Sequence, residues 1–446
     1  MSRFINRNFV VIIYCLYAFV LFTILFQLRC YHLLPMPEEG TDQRSILSAA
    51  AALSRGIMWN DKYLYSPAYT CFLAFLVFLS RGEIIIIRIM QALLCALIPV
   101  FIYKSSRNLR LPFVYSQLSA IIYFFYAASA LISLDFLRAG PLSLLFILYY
   151  YFLIRGYRTL KRSYFIFSGI FAGLLVLGRE NFIPVVCIPL LFLFLRDVRK
   201  RVEFRNIFYM IFFALFPVLF VCILNYYRFS KFAILPGNAK NVISFYYPGY
   251  EVKISNVDLW KVIFSKFLGN VRKYLSSYEI PNSLSIYAHS DFSEMLKVLF
   301  IPFNAIAVTS FFTLLLDKQK ASFLLFLFIL SYFFSMVIFE PFYRFRIPVV
   351  PLLCVGAGIV IYRLSRCFFY KKIIYILVIT LFIVLTYENP QPKRTYSERR
   401  ATILILIKEG RLFRAEKRIS ELKSEGYNVS DLERIYQKYL NGDGAE

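Results

Sequence analysis

Long apolar stretches separated by short polar loops run through most of this sequence. They are roughly 15 to 22 residues long, and an apolar helix needs about 20 residues to cross the hydrocarbon core of a bilayer. Hydrophobic residues make up 59% of the 446 positions, so these stretches dominate the chain. The short strands of alternating polarity that a membrane barrel needs do not occur. We therefore predict an all-α polytopic membrane protein.

The apolar pattern predicts about eleven transmembrane helices. They lie near residues 8–28, 83–103, 113–134, 139–154, 164–178, 182–195, 207–226, 295–316, 321–339, 347–362 and 373–387. With the N-terminus inside, every inner loop is basic, as the positive-inside rule requires. The chain carries 51 Lys and Arg against 26 Asp and Glu, a net charge of +25, and most of this excess falls in loops. The partner is therefore the lipid bilayer, and nucleic acid is a poor choice.

The predicted transmembrane module covers residues 1–389. Two of its loops and a C-terminal tail lie outside the membrane spans. The first outer loop, 29–82, contains the apolar segment 66–80, which would rise only about 22 Å as a helix and is therefore placed along the membrane interface. A second outer loop, 227–294, is either a lid that contacts substrate or a solvated connector. Residues 393–446 predict a tetratricopeptide-like helical hairpin, which needs the bundle or a protein partner to cover its apolar face.

This topology brings acidic residues and arginines together at the outer face. Ionisable side chains near membrane depth are costly, so they mark functional sites by default. The turn at 178–181 joins two arms of only about 14 or 15 residues and should lie below the outer surface. We therefore expect a cavity that opens outward and is lined by charged residues, namely Asp42, Asp135, Arg138, Arg179, Glu180, Arg344 and Arg346.

Asp42 and Asp135 are the main acidic candidates in this cavity. Asp42 suits a general base that takes the proton of an attacking hydroxyl, although Thr41 or Asp42 could instead cap a helix. Asp135 and Arg138 are either a second acidic element with its cation or an ion pair between helix positions i and i+3.

The arginines suit an anionic ligand. Arg344 and Arg346 flank a turn and can bind phosphate as planar bidentate forks, or they snorkel to the interface. Arg179 and Glu180 either pair with each other or take a site role, because a pair below the interface needs further partners. Arg88, near the outer end of its helix, is expected to snorkel.

Four motifs in this order resemble one family of membrane enzymes, the GT-C class of polyprenyl-phosphate-sugar-dependent glycosyltransferases. The resemblance is to its dolichyl-phosphate-mannose-protein mannosyltransferase and aminoarabinose-transferase-like family, and it runs from the first helix to about residue 362. The chain has Asp42-Gln43 where the family often has Asp-Glu. The motifs are Asp42 with Ala50-Ala51-Ala52-Leu53-Ser54-Arg55-Gly56, then Ser66-Pro67-Ala68-Tyr69, then Gly169 through Gly178-Arg179-Glu180-Asn181, and last Tyr343-Arg344-Phe345-Arg346-Ile347-Pro348-Val349-Val350-Pro351-Leu352-Leu353.

The resemblance implies a GT-C-like bundle with interfacial helices in the first outer loop, and an inverting sugar transfer. The donor would be a polyprenyl-phosphate-linked hexose or pentose, and the acceptor a hydroxyl of a lipid, glycan or protein. Asp42 takes the place of the catalytic aspartate, and Tyr343 belongs to the motif that would contact substrate. The sequence leaves the need for a divalent cation open. His32 and His289 lack the spacing of metal ligands, so we do not expect a histidine metal site. We expect a bacterial inner membrane, a cytoplasmic N-terminus and a site facing the periplasm.

Two other functions compete with this one. A transporter or flippase of a lipid-linked sugar would favour internal repeats, broken helices and charges at the midplane, and the chain has no clear repeat. A ligase or polymerase of lipid-linked oligosaccharide shares the cavity and differs in its donor.

Overall fold

The structure is a computed structural model, and it describes most of the chain. The described residues are 2–30, 42–57, 66–194, 202–230, 232, 267–276, 301–317, 319–338, 343–387, 400, 403–404, 406–407, 410 and 412–441. Every regular element among them is a helix. Residues 31–41 of the 29–82 loop and most of the 227–294 loop lie outside the described residues.

The first half of the chain forms eleven α-helices and one 3-10 turn within the described residues. The turn, Glu180–Phe182, lies between α9 and α10. The helices are α1 (Ser2–Cys30), α2 (Asp42–Ser54), α3 (Pro67–Ser80), α4 (Ile84–Cys95), α5 (Ile98–Asn108), α6 (Phe113–Phe124), α7 (Ala127–Ser133), α8 (Ala139–Thr159), α9 (Arg162–Gly178), α10 (Ile183–Phe194) and α11 (Phe204–Phe229).

The second half follows the same pattern. Residues 267–275 are helical, and a 3-10 turn, Ile347–Val349, precedes α16. The remaining helices are α12 (Phe303–Phe311), α13 (Thr313–Leu316), α14 (Lys320–Val337), α15 (Tyr343–Arg346), α16 (Val350–Ser365), α17 (Phe369–Leu385), α18 (Leu412–Ser424) and α19 (Ser430–Leu440).

The predicted fold class, an all-helical membrane protein, is confirmed, whereas the count of about eleven spans is not. Within the described residues, six helices are long and apolar enough to cross a bilayer. Several other predicted spans appear as shorter apolar helices, such as α6 and α9. The six are Asn8–Leu28, Ile84–Asn108, Ala139–Thr159, Phe204–Tyr227, Lys320–Val337 and Arg344–Ser365.

Local sequence explains where α3 begins and ends and why α4 is separate from α5. Pro67 occupies the first turn of α3, where a missing N–H costs nothing, and the left-handed Arg81 and Gly82 end the helix. The apolar segment 66–80, placed at the interface by its length, is thus a separate 14-residue helix. Pro99 near the start of α5 accounts for the break between α4 and α5.

The core lies around α8 and α16, which are the most buried of the six candidate spans. Aromatic side chains fill much of this core: the ring of Phe146 on α8 lies 5.1 Å from that of Phe182 and 5.6 Å from that of Tyr332. By contrast, α11 exposes Phe212, Phe216 and Phe220. Exposed apolar rings on a spanning helix suit contact with lipid chains.

Two glycines let α9 lie directly against α11. Gly169 and Gly173 are four residues apart and therefore share one face of α9, the spacing that close helix pairs in membranes use. A Cβ atom at Gly169 would come closer than 3.0 Å to the backbone oxygen of Met210, and one at Gly173 to that of Ala214. The partner atoms belong to the backbone, so they cannot move aside without separating the helices.

The C-terminal tail has a small core of its own. Ala415 and Ile419 of α18 pack against Leu432 of α19, and an ion pair at 2.7 Å joins Arg400 to Asp431. The pKa of Asp431 is lowered, chiefly by its hydrogen bond from Arg400. That the tail needs the bundle or a protein partner to cover its apolar face stays a prediction.

We predict that replacing Gly169 and Gly173 together by alanine lowers the thermal stability of the detergent-solubilised protein. Overpacking of this kind costs roughly 1–3 kcal/mol per site, which should lower the midpoint by several degrees. The measurement is fluorescence-detected size exclusion after heating. Gly269→Ala is the matched control, because nothing lies within 4 Å of a Cβ atom at that helical glycine. Equal midpoints for the double variant and the control would contradict the close approach.

Candidate functional site

Helix α2 carries the predicted base and lies against the turn before α8. Asp42 is the first residue of α2, and its side chain lies outside the described part of the structure. The neighbouring Gln43 donates a hydrogen bond from Nε2 to Oδ2 of Asp135 at 3.3 Å. Two residues 92 positions apart in sequence are thus in contact, which places the start of α2 next to the second predicted acid.

Asp135 is a buried carboxyl group. Its side chain is among the buried polar groups, and Oδ1 accepts the backbone N–H of Phe136 at 2.8 Å. Burial raises the pKa of Asp135 above its ordinary value, whereas Arg88, Gln43, Phe136 and, more weakly, Arg344 favour the charged form. The carboxyl group therefore depends on donors and cations brought in by other helices.

Arg88 is a neighbour of Asp135 that the sequence interpretation placed wrongly. It was expected to snorkel to the interface, but it is 1% exposed and its guanidinium lies 4.7 Å from the centre of the Phe136 ring. The reason is tertiary, because the turn 134–138 covers the first half of α4. An arginine in the apolar run Ile84–Ile89 was the signal that could have identified it, since charges within such runs are rarely incidental.

Gln91, three residues after Arg88 on α4, connects the chain segment around Asp135 to α3 and α4. Its Nε2 group donates to the backbone oxygens of Ser133 at 2.9 Å and Asp135 at 2.7 Å. Its Oε1 atom accepts the hydroxyl of Tyr69 on α3 at 3.0 Å. Both ends of a buried amide are therefore used to hold the backbone of Asp135 in place.

A cavity lined by three arginines lies beside α2. Arg138 lies before α8, Arg179 after α9 and Arg344 in the short helix α15. The turns before α8 and after α9 are joined by Arg138, which donates to the backbone oxygen of Gly178 at 3.4 Å. The lining residues are Ile46, Leu137, Arg138, Ala139, Leu142, Arg179, Arg344, Phe345 and Pro348. The predicted convergence of these three arginines is therefore present in the structure.

The ring of Phe345 lies close to two of these guanidiniums. The guanidinium carbon of Arg179 is 3.4 Å from the ring centre and that of Arg344 is 5.3 Å from it. Arg179 is only 7% exposed. Hydrogen bonds from Tyr332 to the backbone oxygen of Phe345, and from Ser143 to that of Ile347 at 3.2 Å, hold the turn. Cation–π contact with the same aromatic ring keeps the two cations near each other.

The two ion pairs that the sequence allowed as plainer interpretations do not form. Asp135 and Arg138 are both described, and so are Arg179 and Glu180, yet no ion pair joins the members of either couple. Glu180 begins the 3-10 turn and is half-buried, but it does not line the arginine cavity.

The last motif divides between two environments. Arg344 lines the cavity, whereas Arg346 is 0% exposed and lies outside it. Arg346 donates from Nη1 to the backbone oxygens of Tyr274 at 2.9 Å and Ser276 at 2.7 Å, with a longer bond of 3.4 Å to Lys273. Its guanidinium also lies 4.3 Å from the centre of the Phe303 ring. The side chain of Tyr343 is outside the described residues.

Arg346 therefore closes the C-terminal end of helix 267–275. The last carbonyls of a helix lack partners within it, and a cation there also complements the helix dipole. Asn270, on the same segment, donates to the backbone oxygen of Val337 at 2.9 Å. The described part of the 227–294 loop is thus attached to the turn that carries Arg344.

We predict that Arg346→Met loosens helix 267–275. The substitution removes a buried charged donor from several carbonyl groups, each worth roughly 1–3 kcal/mol when left unsatisfied. Hydrogen–deuterium exchange of the amides in 267–276 should become at least about tenfold faster. Arg346→Lys should recover part of the protection, and Arg366→Met, at an exposed arginine, serves as the control. Unchanged exchange in Arg346→Met would contradict the tether.

Metal ligation finds no support in this region. Among the residues that the structure describes, no group of three or more His, Cys, Asp or Glu side chains is placed to hold a metal ion. The chemical capacity of the site is that of a cation-lined cavity, which suits an anion such as phosphate.

Comparison with known proteins relates part of the chain to a family. The family model described as dolichyl-phosphate-mannose-protein mannosyltransferase matches residues 65–224. No curated protein matches the sequence significantly. The family match covers α3 to α10 and most of α11, and so it includes Asp135, Arg138, Arg179 and Glu180.

Among solved structures, the chain is similar to ArnT from Cupriavidus metallidurans. The crystal structure of that protein bound to undecaprenyl phosphate aligns at 13% sequence identity with a TM-score of 0.49, covering 98% of this chain and 76% of that one. Its apo state aligns at 13% identity with a TM-score of 0.46, covering 96% and 75%. A likeness at this level says nothing about individual residues or substrates. Over residues 65–224, about a third of its length, this chain matches the dolichyl-phosphate-mannose-protein mannosyltransferase family, in agreement with the resemblance inferred from the sequence.

Proposed function

We propose that this protein is an integral membrane glycosyltransferase. It moves a sugar from a polyprenyl-phosphate donor to a hydroxyl group of a lipid, glycan or protein acceptor. The observation that carries the proposal is the convergence of Arg138, Arg179 and Arg344 on one cavity beside α2, the helix that begins at Asp42. The family match over residues 65–224 supports the same reaction class and the same type of donor.

The three arginines suit the phosphate of the donor. A guanidinium binds phosphate oxygens in pairs and keeps its charge at any physiological pH. The cavity also has apolar walls, including Ile46, Leu137 and Leu142, so it can accept a group attached to a lipid. As the bond between the sugar and the phosphate breaks, negative charge grows on the phosphate, and cations already in place stabilise it.

Asp42 is proposed as the general base. It takes the proton from the acceptor hydroxyl while the oxygen attacks the anomeric carbon of the sugar. The bond from that carbon to the phosphate oxygen breaks, its electron pair stays on the phosphate, and polyprenyl phosphate leaves. Attack on the side opposite the leaving group inverts the anomeric centre. The leaving group is already a good anion, so the mechanism needs a base but no strong acid.

Asp135 supports this arrangement from beneath α2. Asp135 accepts a hydrogen bond from Gln43, the residue that directly follows Asp42. The family often has a second acid where this chain has Gln43. We propose that Gln43 and Asp135 set the position of the first turn of α2. The site is proposed to face the periplasm of a bacterial inner membrane, with the N-terminus in the cytoplasm.

Asp42→Asn should reduce sugar transfer by at least about a hundredfold, because positioned bases contribute roughly 10²–10⁴ in rate. The assay follows release of free polyprenyl phosphate from a polyprenyl-phosphate sugar by purified protein in detergent. Glu203→Gln, at an exposed carboxylate before α11, is the control and should remain active. Near-normal transfer by Asp42→Asn would refute the assignment. A flippase would release no polyprenyl phosphate in detergent, since it needs two leaflets to act.

Arg179→Met and Arg344→Met should each raise the KM for the donor by about ten- to a hundredfold, the equivalent of a charged hydrogen bond of roughly 1.5–3 kcal/mol. Lysine at either position should restore part of the affinity, because it keeps the charge but loses the bidentate fork. Arg205→Met, at an arginine 63% exposed and remote from the cavity lining, is the matched control. If all three methionine variants behave alike, the cavity does not bind the donor phosphate.

A further inference from the structure

A second arginine-lined pocket lies on the other side of α2. Helix α2, the end of α3 and the start of α4 enclose it. Ile46 of α2 lines the cavity described above, whereas the next residue, Leu47, lines this pocket. The two share no lining residue, so α2 forms a wall between them.

The pocket is cationic. Its arginines are Arg44 in the first turn of α2, Arg55 just after the end of α2, and Arg81 just after the end of α3. No acidic residue is among those that line it. An arginine after a helix also complements the dipole of that helix, which would account for Arg55 and Arg81 separately. The helix dipole does not explain why Arg55 and Arg81, at the ends of two different helices, line the same pocket.

Arg81 occupies a position that would normally favour glycine. Its φ is 54°, in the left-handed region, and Gly82 follows with a φ of 87°. The N–H of Arg81 donates to the backbone oxygen of Phe78 at 3.3 Å, and that of Gly82 to Val77 at 3.0 Å. A long cationic side chain is therefore held at the helix end by a turn whose backbone hydrogen bonds are satisfied.

The rest of the pocket is mostly apolar and borders an apolar surface. Leu47, Val77, Ile84 and Ile87 line it together with Phe78. On the outside of α3, Phe75 is 58% exposed and Phe78 is 67% exposed. Exposed apolar rings suit contact with acyl chains, and arginines beside them can reach the depth of the lipid headgroups.

We propose that this pocket binds an anionic membrane phospholipid, with Arg55 and Arg81 holding its phosphate group. The apolar residues then lie beside the glycerol and the first part of the acyl chains. The guanidiniums satisfy the phosphate oxygens, and the apolar wall excludes a ligand that is charged throughout. The site is separate from the cavity of the proposed sugar transfer and does not depend on that function.

The test is native mass spectrometry of the full-length protein released from nanodiscs of phosphatidylglycerol and phosphatidylcholine in equal amounts. The wild type should retain phosphatidylglycerol. The double variant Arg55→Gln/Arg81→Gln should retain at least about tenfold less phosphatidylglycerol, because it loses charged hydrogen bonds. Arg205→Gln/Arg366→Gln, at two exposed arginines elsewhere, should retain as much as the wild type. Arg55→Lys/Arg81→Lys should fall between, because charge remains without the fork.

Three outcomes would overturn the proposal. Equal retention by the glutamine double variant would show that these arginines do not bind the lipid. Equal retention of phosphatidylcholine by the wild type would show adventitious lipid only. Displacement of the lipid by millimolar inorganic phosphate alone would assign the pocket to a soluble anion. If the double variant elutes as aggregate in size exclusion, the single variants Arg55→Gln and Arg81→Gln are compared instead, each with an expected intermediate loss.

Discussion

A charged group buried among apolar helices needs partners, and this requirement organises the end of the bundle where the charged turns lie. Arg88, Asp135, Arg179 and Arg346 are at most 7% exposed. Each is surrounded by groups from other segments of the chain: Gln43 donates to Asp135, Phe345 faces Arg179, and the carbonyl groups of helix 267–275 accept from Arg346. These contacts join the first outer loop, the turn before α8 and the late arginine motif into one region.

Helix α2 is central to this region because it contacts both of its chemical environments. On one side it meets Asp135 and the cavity of Arg138, Arg179 and Arg344. On the other side it lines the pocket of Arg55 and Arg81. A short amphipathic helix placed between two cationic pockets suits a protein that handles lipid-linked anions at a membrane surface. The proposed base at the start of α2 would then lie where a lipid-attached donor and an acceptor can meet.

Much of the fold was predictable because hydropathy is a local property of the chain. The apolar segment 66–80 was too short to span, and the structure has a separate helix there, Pro67–Ser80. The number of spans was less predictable, since helices such as α9 and α10 are short and their depth depends on their neighbours. The burial of Arg88 was not predictable from its own helix, because the groups that cover it, Phe136 and Asp135, follow in sequence by more than forty residues.

The candidate residues were identified from the sequence, but their pairing was not. Spacing allows a local pair of Asp135 with Arg138, yet Asp135 instead accepts a hydrogen bond from Gln43 on a distant helix. Spacing along one element limits which side chains are able to meet, but the packing of other elements decides which of them do.

The sequence by itself determined that this chain forms apolar helices, where its charged turns fall, and that arginines and carboxylates gather among them. Only the tertiary structure decided what each charge faces. Arg344 and Arg346 are two residues apart in one short helix, and because a helix turns by about 100° per residue they point to nearly opposite sides. One therefore lines the cavity with Arg179, while the other is buried against the carbonyl groups of a segment some seventy residues earlier in the chain.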